Sequence, residues 1–347
     1  MELVVSFRKR LRDFTLAVDF SVRNEVFALL GASGCGKSMT LKCIAGIESP
    51  DEGRIVLNGR TFFDSQKGID LPPQKRNIGY LFQNYALFPN MTVAENILFA
   101  AVGTKQEKLE TMREYLARFQ LSELEDAYPS ELSGGQQQRV AFARILSSGA
   151  ELLLLDEPFS ALDSYLKWQM ELELMELLHD YEEAALLVSH DRSEVYRLAN
   201  RIAVMSRGNI EAIDTKKQLF RNPQTLAATL LTGCKNVSAA HVEANGHILA
   251  EEWGISLAVS ENVPEKICYV GLRAHFLEYC NAPGENTFLM EVVQVIEDTF
   301  SFLVMVRRKG TTAKPLRWEV DKAKWHAVRP QELYLHFPAE YLILLEK

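Results

Sequence analysis

Eight consecutive residues, Gly31-Ala32-Ser33-Gly34-Cys35-Gly36-Lys37-Ser38, fit the pattern G-x-x-x-x-G-K-[ST] without a mismatch. Glycines let successive backbone N–H groups turn toward one anion. The helical run that follows, "MTLKCIAG" from Met39, would present its positive end to the same anion. Lys37 adds a mobile charge for the β and γ phosphates of a nucleoside triphosphate, and Ser38 offers a hydroxyl to Mg²⁺. A plain glycine turn is the bland alternative. The complete pattern between an apolar run and a helical run favours the phosphate cradle. A second stretch, "LLLLDEP", ends an apolar strand on two adjacent carboxylates. There Asp156 would hold the metal shell and Glu157 would polarise an attacking water. An acidic loop after a strand is common, so this stretch gains its meaning from its company. "IGYLFQ" ends in Gln83 and "ALLVSH" in His190. Ligands of open α/β sheets sit beyond the carboxyl edge of the strands, where Gly31, Gln83, Asp156 and His190 would all converge. A lone histidine after a strand is usually a hydrogen-bonded bystander; in this setting His190 reads as a γ-phosphate contact.

"ELSGGQQQRVAFARIL" places Ser133 and Gln136 at the spacing of a capping box. That alone makes an N-capped amphipathic helix. Ser133, Gly134, Gly135 and Gln136 at a free helix N-terminus also make a second anion site. A chain with both sites suggests a sandwich, in which the γ phosphate of ATP on one subunit is closed by this helix from another.

The elements that must position these groups are legible in the apolar pattern. "VFALL" before Gly31 is a continuous apolar run, as in a buried parallel strand. Residues 1 to about 60 alternate like strands, about 92 to 148 turn helical, and two further short apolar runs follow. The alternation predicts an α/β domain around a mostly parallel sheet. "RIAVMSRGNIEAI" predicts a hairpin turning at Arg207-Gly208-Asn209. After about residue 233, short alternating stretches punctuated by Gly, Asn and Pro predict a small, barrel-like β domain. The 347 residues and 47% hydrophobic content suit two packed domains. A net charge of −8 leaves no global basic field for nucleic acid. No apolar run approaches the roughly 20 residues of a membrane span, and the start of the chain lacks a signal-peptide pattern. The five cysteines show no CxxC pairing, which suggests reduced thiols inside a cell. Any membrane role would come through a partner.

Together these residues closely resemble the ATP-binding-cassette (ABC) transporter ATPases. The carriers of the resemblance are LSGGQ at 132–136, the P-loop, "LLLLDEP", His190 and "SALD" at 160–163. The resemblance implies a RecA-like P-loop core with antiparallel β and helical subdomains, the helical one spanning about 86–148, within an ATPase domain of residues 1–232. Residues 233–347 would be a C-terminal OB-like regulatory domain, as in importers of sugar, sulfate and molybdate. "FRKRLRDFTLAVDF" and "FDSQKGIDLPPQKRNIGYLFQ" look most like molybdate-importer ATPases, so an oxyanion is the expected solute, with sugar, polyamine or iron as alternatives.

By the same resemblance, Asp163 belongs to a D-loop that meets the nucleotide. Gln83 joins Ser38 and Asp156 at the metal, and two copies assemble head to tail. Exposed Tyr85, Leu87 and Phe88 would line a groove for a permease helix, and a solute-binding protein would join through the permease. The expected location is the cytoplasmic face of the membrane. Two positions depart from the family: Leu11 stands where an aromatic usually stacks on adenine, leaving Phe14 or Phe7 as substitutes, and Asn24 stands for glycine. Arg273, His275 and Lys314 are unranked anion contacts in the C-terminal domain. Soluble repair or translation ATPases, exporters and non-catalytic regulators are the rivals. The single cassette, the appended β domain and the intact catalytic set weigh against them.

Overall fold

The computed structural model describes residues 1–160, 162–181, 183–259, 266–328 and 331–346. The chain divides into two compact units, Met1–Lys216 and Lys217–Lys347.

The first unit is built on one mixed sheet. Its strands in chain order are β1 (Glu2–Arg10), β2 (Thr15–Arg23), β3 (Val26–Gly31), β4 (Glu52–Leu57), β5 (Arg60–Asp64), β6 (Ile69–Asp70), β7 (Ile78–Leu81), β8 (Leu152–Asp156), β9 (Ala184–Ser189), β10 (Arg201–Ser206) and β11 (Asn209–Thr215). Their spatial order is β6-β5-β4-β1-β2-β11-β10-β3-β9-β8-β7. From β10 to β7 every neighbour is parallel. The run β6 to β2 is antiparallel. β11 joins the two halves, antiparallel to β10 and paired in parallel with β2 at Asn209 and Ala17.

The pattern follows the sequence. All of β8 and β9 is buried, and in β3 only Val26 is partly exposed, so both faces must be apolar; β1 alternates because one face meets solvent. The hairpin between β10 and β11 turns at Arg207 and Gly208, both at positive φ.

Helices α1 (Lys37–Ala45), α2 (Val93–Ala100), α3 (Lys105–Arg118), α4 (Gly134–Ser147), α5 (Ser164–Asp180) and α6 (Arg192–Leu198) complete this unit. Threonines 92 and 104 and Ser133 close capping boxes at the starts of α2, α3 and α4. The polar residues that fix the joints are buried. Arg76 is fully buried and donates to the carbonyls of Cys43 and Ile44 at the end of α1, to Leu71 O and to Asp70. Arg144 of α4 donates to Tyr85 O at 2.8 Å and Ala86 O at 2.7 Å. Tyr85 and Ala86 both lie at positive φ. This turn, held by Arg144, sends Tyr85 inward, where it is 4% exposed with its hydroxyl 3.5 Å from Gln138 Oε1. The expected exposed aromatic cluster is therefore corrected: Tyr85 is buried, Leu87 is half-buried, and Phe88 is the exposed member, edge-on to Phe99.

The second unit is mostly β. Strands β12 (Asn236–Val242), β13 (Ile248–Ala250), β14 (Ile255–Leu257), β15 (Tyr269–Leu272) and β21 (Ile343–Leu345) form one five-stranded sheet. Strands β16 (Glu278–Cys280), β17 (Thr287–Glu297), β18 (Ser301–Arg308), β19 (Leu316–Asp321) and β20 (Glu332–His336) form another. Trp253, Trp318, Trp325 and Phe337 sit in a core fed by both sheets. Helices α7 (Lys216–Arg221) and α8 (Leu226–Leu231) lie at its start, and α9 (Lys322–Val328) follows β19. The compact division thus falls at 216/217 rather than 232/233. The reason is packing: Leu226 lies against Cys234, Ile343 and Leu345, and Arg273 donates to Thr232 O at 2.8 Å and Phe220 O at 2.6 Å. Arg273 is thereby a structural cap, and Lys314 is paired with Glu252 at 2.5 Å.

Candidate nucleotide site

The loop after β3 is shaped by contacts that only glycine permits. A Cβ on Gly31 would lie 2.6 Å from both Cys35 Sγ and Met205 O of the adjacent strand β10. Gly36, at φ 109°, ends the loop and starts α1. Lys37 opens that helix, 4% exposed, and its Nζ donates to Gly31 O at 2.9 Å and Ala32 O at 3.1 Å. The ammonium is thus held by the loop it serves. Burial pushes the Cys35 thiol up, with Lys37 opposing, so Cys35 is a protonated packing group here.

Ser38 Oγ donates to Asp156 Oδ1 at 2.7 Å, linking the first turn of α1 to the end of β8. Tyr80 of β7 donates to the other carboxylate oxygen, Oδ2, at 2.9 Å. Burial, and then the neighbouring Asp156 charge, drives the Tyr80 phenol far above its ordinary value, so it stays a hydrogen-bond donor at any working pH. Asp156 is 6% exposed and oriented through both oxygens. Glu157 has φ 47°, a left-handed conformation rare for a side-chain-bearing residue and often found at functional sites. Its N–H donates to Val188 O at 3.0 Å and its carbonyl accepts from Ser160 Oγ at 3.1 Å. That turn carries its carboxylate off the strand to 3.3 Å from His190 Nδ1.

Of the groups expected from sequence, the structure brings together Gly31, Lys37, Ser38, Asp156, Glu157 and His190 at the carboxyl edge of the parallel strands. Gly34 and Gly36 both take positive φ in the loop, Ala32 supplies the carbonyl for Lys37, and Ser33 is exposed. Gln83 is exposed two residues past β7, and Met39 lies in the first turn of α1. Ser133, Gly134, Gly135 and Gln136 form the tip of α4. Ser133 N–H donates to Gln136 Oε1 at 2.8 Å, and the reciprocal bond is 3.4 Å. Among the described residues, no hydrogen bond or ion pair joins that tip to Gly31–Met39. Asp163 caps α5, accepting from the N–H groups of Tyr165 and Leu166 at 3.0 Å. The neighbouring Ala161 of "SALD" lies outside the described residues.

Phe7 is 3% exposed in the core, while Phe14 lies beside Gly36 and Gly208, so Phe14 is the aromatic that borders the P-loop. Asn24 takes the left-handed turn expected of a glycine substitute, with φ 23°. Tyr80 is the site residue that sequence reading missed; its only signal was a position three residues before the end of "IGYLFQ".

A parallel-sheet P-loop core with a serine–diglycine helix tip ahead of this carboxylate pair defines a class: the cassette ATPases. Residues 16–160 match the family model described as "ABC transporter". The chain belongs to that family as an ATP-binding subunit of importer type, and it is an ATPase that binds ATP.

It is 37% identical over 293 residues to the putrescine transport ATP-binding protein PotG of Escherichia coli, a match covering 79% of this chain and 74% of that one. It is 41% identical over 220 residues to the Fe(3+) ions import ATP-binding protein FbpC of Haemophilus influenzae, covering 62% of each chain. Among solved structures, the ATP-binding cassette MJ0796, in a dimeric post-hydrolysis state bound to ADP and Pi, matches with a TM-score of 0.51 and 26% identity. That match covers 62% of this chain and 99% of the other. The expected likeness to molybdate and sulfate importers is not supported. These two relatives are named for polyamine and iron import, so the short segments at residues 7–20 and 63–83 did not mark the solute.

Proposed function

We propose that two copies of this chain bind two ATP molecules head to tail and drive import of a cationic solute, a polyamine in the first reading. The observation that carries the mechanism is the joined cluster at the strand ends: Ser38 and Tyr80 on Asp156, and His190 on Glu157. The backbone N–H groups of residues 32–38 and the Lys37 ammonium bind the phosphates. Mg²⁺ fits the hard oxygen donors Ser38 and Asp156, with Gln83 at the margin, and when bound it would neutralise charge on the β and γ phosphates. Among the described residues no cluster of three His, Cys, Asp or Glu side chains could hold a metal.

Glu157 accepts a proton from the attacking water and orients it in line with the γ phosphate. His190, beside it, donates to a γ-phosphate oxygen. The Ser133, Gly134, Gly135 and Gln136 tip and Asp163 of the second copy close the site. ATP favours that closed pair by contacts it makes only there, and hydrolysis removes the bias. Among the described residues no helix is long and apolar enough to cross a membrane. By the transport and import roles for which PotG and FbpC are named, we assign the coupling to a separate permease, reached through Gln83 and the segment bearing Phe88, at the cytoplasmic face of the membrane, with a solute-binding protein delivering to the permease. The C-terminal unit is assigned a regulatory role.

The polyamine reading is supported by PotG, and an Fe(3+) reading by FbpC. Reconstitution with the permease and binding protein tests both: ATPase stimulation by putrescine or spermidine supports the first, by Fe(3+) the second. Stimulation by sulfate, molybdate or maltose alone rejects both. Mixing a Lys37→Ala chain with a Ser133→Ala chain tests the shared site; normal turnover by either variant alone would reject it.

A further inference from the structure

The turn that carries His190 is fastened by groups outside the proposed chemistry. His190 lies between Ser189, the last residue of β9, and Asp191, the cap of α6. Asp191 Oδ1 accepts from Ser193 N–H at 2.8 Å and Glu194 N–H at 3.4 Å. Ser189 Oγ donates to Glu194 Oε2 at 2.5 Å and accepts from Asp191 N–H at 2.9 Å. One ammonium joins both sides of this turn: Lys167 Nζ of α5 stands 2.7 Å from Asp191 Oδ2 and 2.5 Å from Glu194 Oε1. Glu194 is buried, and removing one member of such a pair costs more than losing a surface bridge. The same helix is anchored on the other side. Asp163 caps it, and a Cβ on Gly135 would fall 2.8 Å from Leu166 Cδ2. The helix that touches the serine–diglycine tip therefore carries, one residue on, the lysine that grips the histidine turn.

We propose that Lys167 is a positioning residue for His190, holding the imidazole at Glu157 through Asp191 and Glu194. This rests on the reading that His190 serves hydrolysis. The clamp requires a cation with at least two donors, which arginine also supplies and methionine does not.

In the full-length chain, Lys167→Met should lower kcat about tenfold or more, since sub-ångström misplacement of a catalytic group is costly. KM for ATP should change less than about threefold, because the phosphate loop is untouched. Lys167→Arg should restore kcat to within about threefold of wild type. The deciding measurement is a double-mutant cycle: in a His190→Ala background, Lys167→Met should change kcat by less than about twofold. An undiminished loss in that background, or wild-type kcat for Lys167→Met, overturns the proposal. Wild-type kcat for His190→Ala overturns the reading of His190 and this inference with it. If Lys167→Met does not fold, Asp191→Asn keeps the capping oxygen and removes the charge; it should show the same coupling to His190, and additivity there is equally fatal.

Discussion

Gly31→Ala would put a methyl group 2.6 Å from Met205 O and 2.6 Å from Cys35 Sγ. Those two contacts differ in kind. Cys35 is in the loop and its thiol can rotate. Met205 O belongs to the backbone of β10, paired in register with β3 at Gly31, and moves only with the sheet. Overpacking of this sort costs about 1–3 kcal/mol. For a unit of this size that is about 2–12 °C in Tm. Function should suffer more than stability. Gly31 O holds the Lys37 ammonium at 2.9 Å, so a loop pushed off β10 carries the lysine with it. A displacement near 1 Å costs on the order of 10²-fold in rate. The assay pairs thermal unfolding with kcat and ATP affinity, for Gly31→Ala alone and with Cys35→Ala. The double variant relieves the thiol contact and leaves the carbonyl contact, so recovery should be incomplete. Gly31→Ala with wild-type kcat and ATP affinity would refute the claim that the β10 carbonyl sets the loop. Full recovery in the double variant would assign the constraint to Cys35 instead.

Glu157→Gln should lower kcat by about 10²-fold or more while ATP still binds, because the general base is lost and the phosphate contacts stay; single-turnover hydrolysis near the wild-type rate would reject its role. Tyr80→Phe removes a hydrogen bond to the Asp156 carboxylate, and urea unfolding should show a loss of about 1.5–3 kcal/mol. The Lys167 clamp predicts a pH dependence with a definite sign. Burial opposes the charge on Asp191, but hydrogen bonds from Lys167 and the Ser193 N–H outweigh it and hold the carboxyl below its ordinary 3.8; burial likewise opposes the charge on Lys167, but Asp191 and Glu194 raise it above its ordinary 10.5. The clamp's stabilisation is therefore full between those ordinary values. It is lost as pH falls through the depressed Asp191 value and as pH rises through the elevated Lys167 value. Unfolding free energies from pH 2 to 12 should fall less steeply at both extremes in Lys167→Met than in wild type, and parallel curves would count against the clamp.

Much of the site was legible because its chemistry is local in sequence. A phosphate cradle needs glycines, a lysine and a serine within one turn, and a capped helix needs Ser133 and Gln136 three apart; neighbouring residues satisfy each demand. Buried parallel strands announced themselves as unbroken apolar runs, and their ends placed Asp156, Glu157 and His190 on one edge. The sequence by itself thus determined the cassette, the carboxylate pair at the end of β8 and the serine–diglycine tip. It did not determine what depends on residues far apart in the chain. That Tyr80 holds Asp156, that Arg144 turns Tyr85 inward, that Arg76 caps α1, and that Lys167 grips the His190 turn were decided by tertiary structure. So was the grouping of α7 and α8 with the C-terminal sheets. In each case a charged or phenolic side chain meets its partner only after strands and helices stack. A tyrosine or lysine in a pattern carries no mark of whether it will face water or a buried carboxylate.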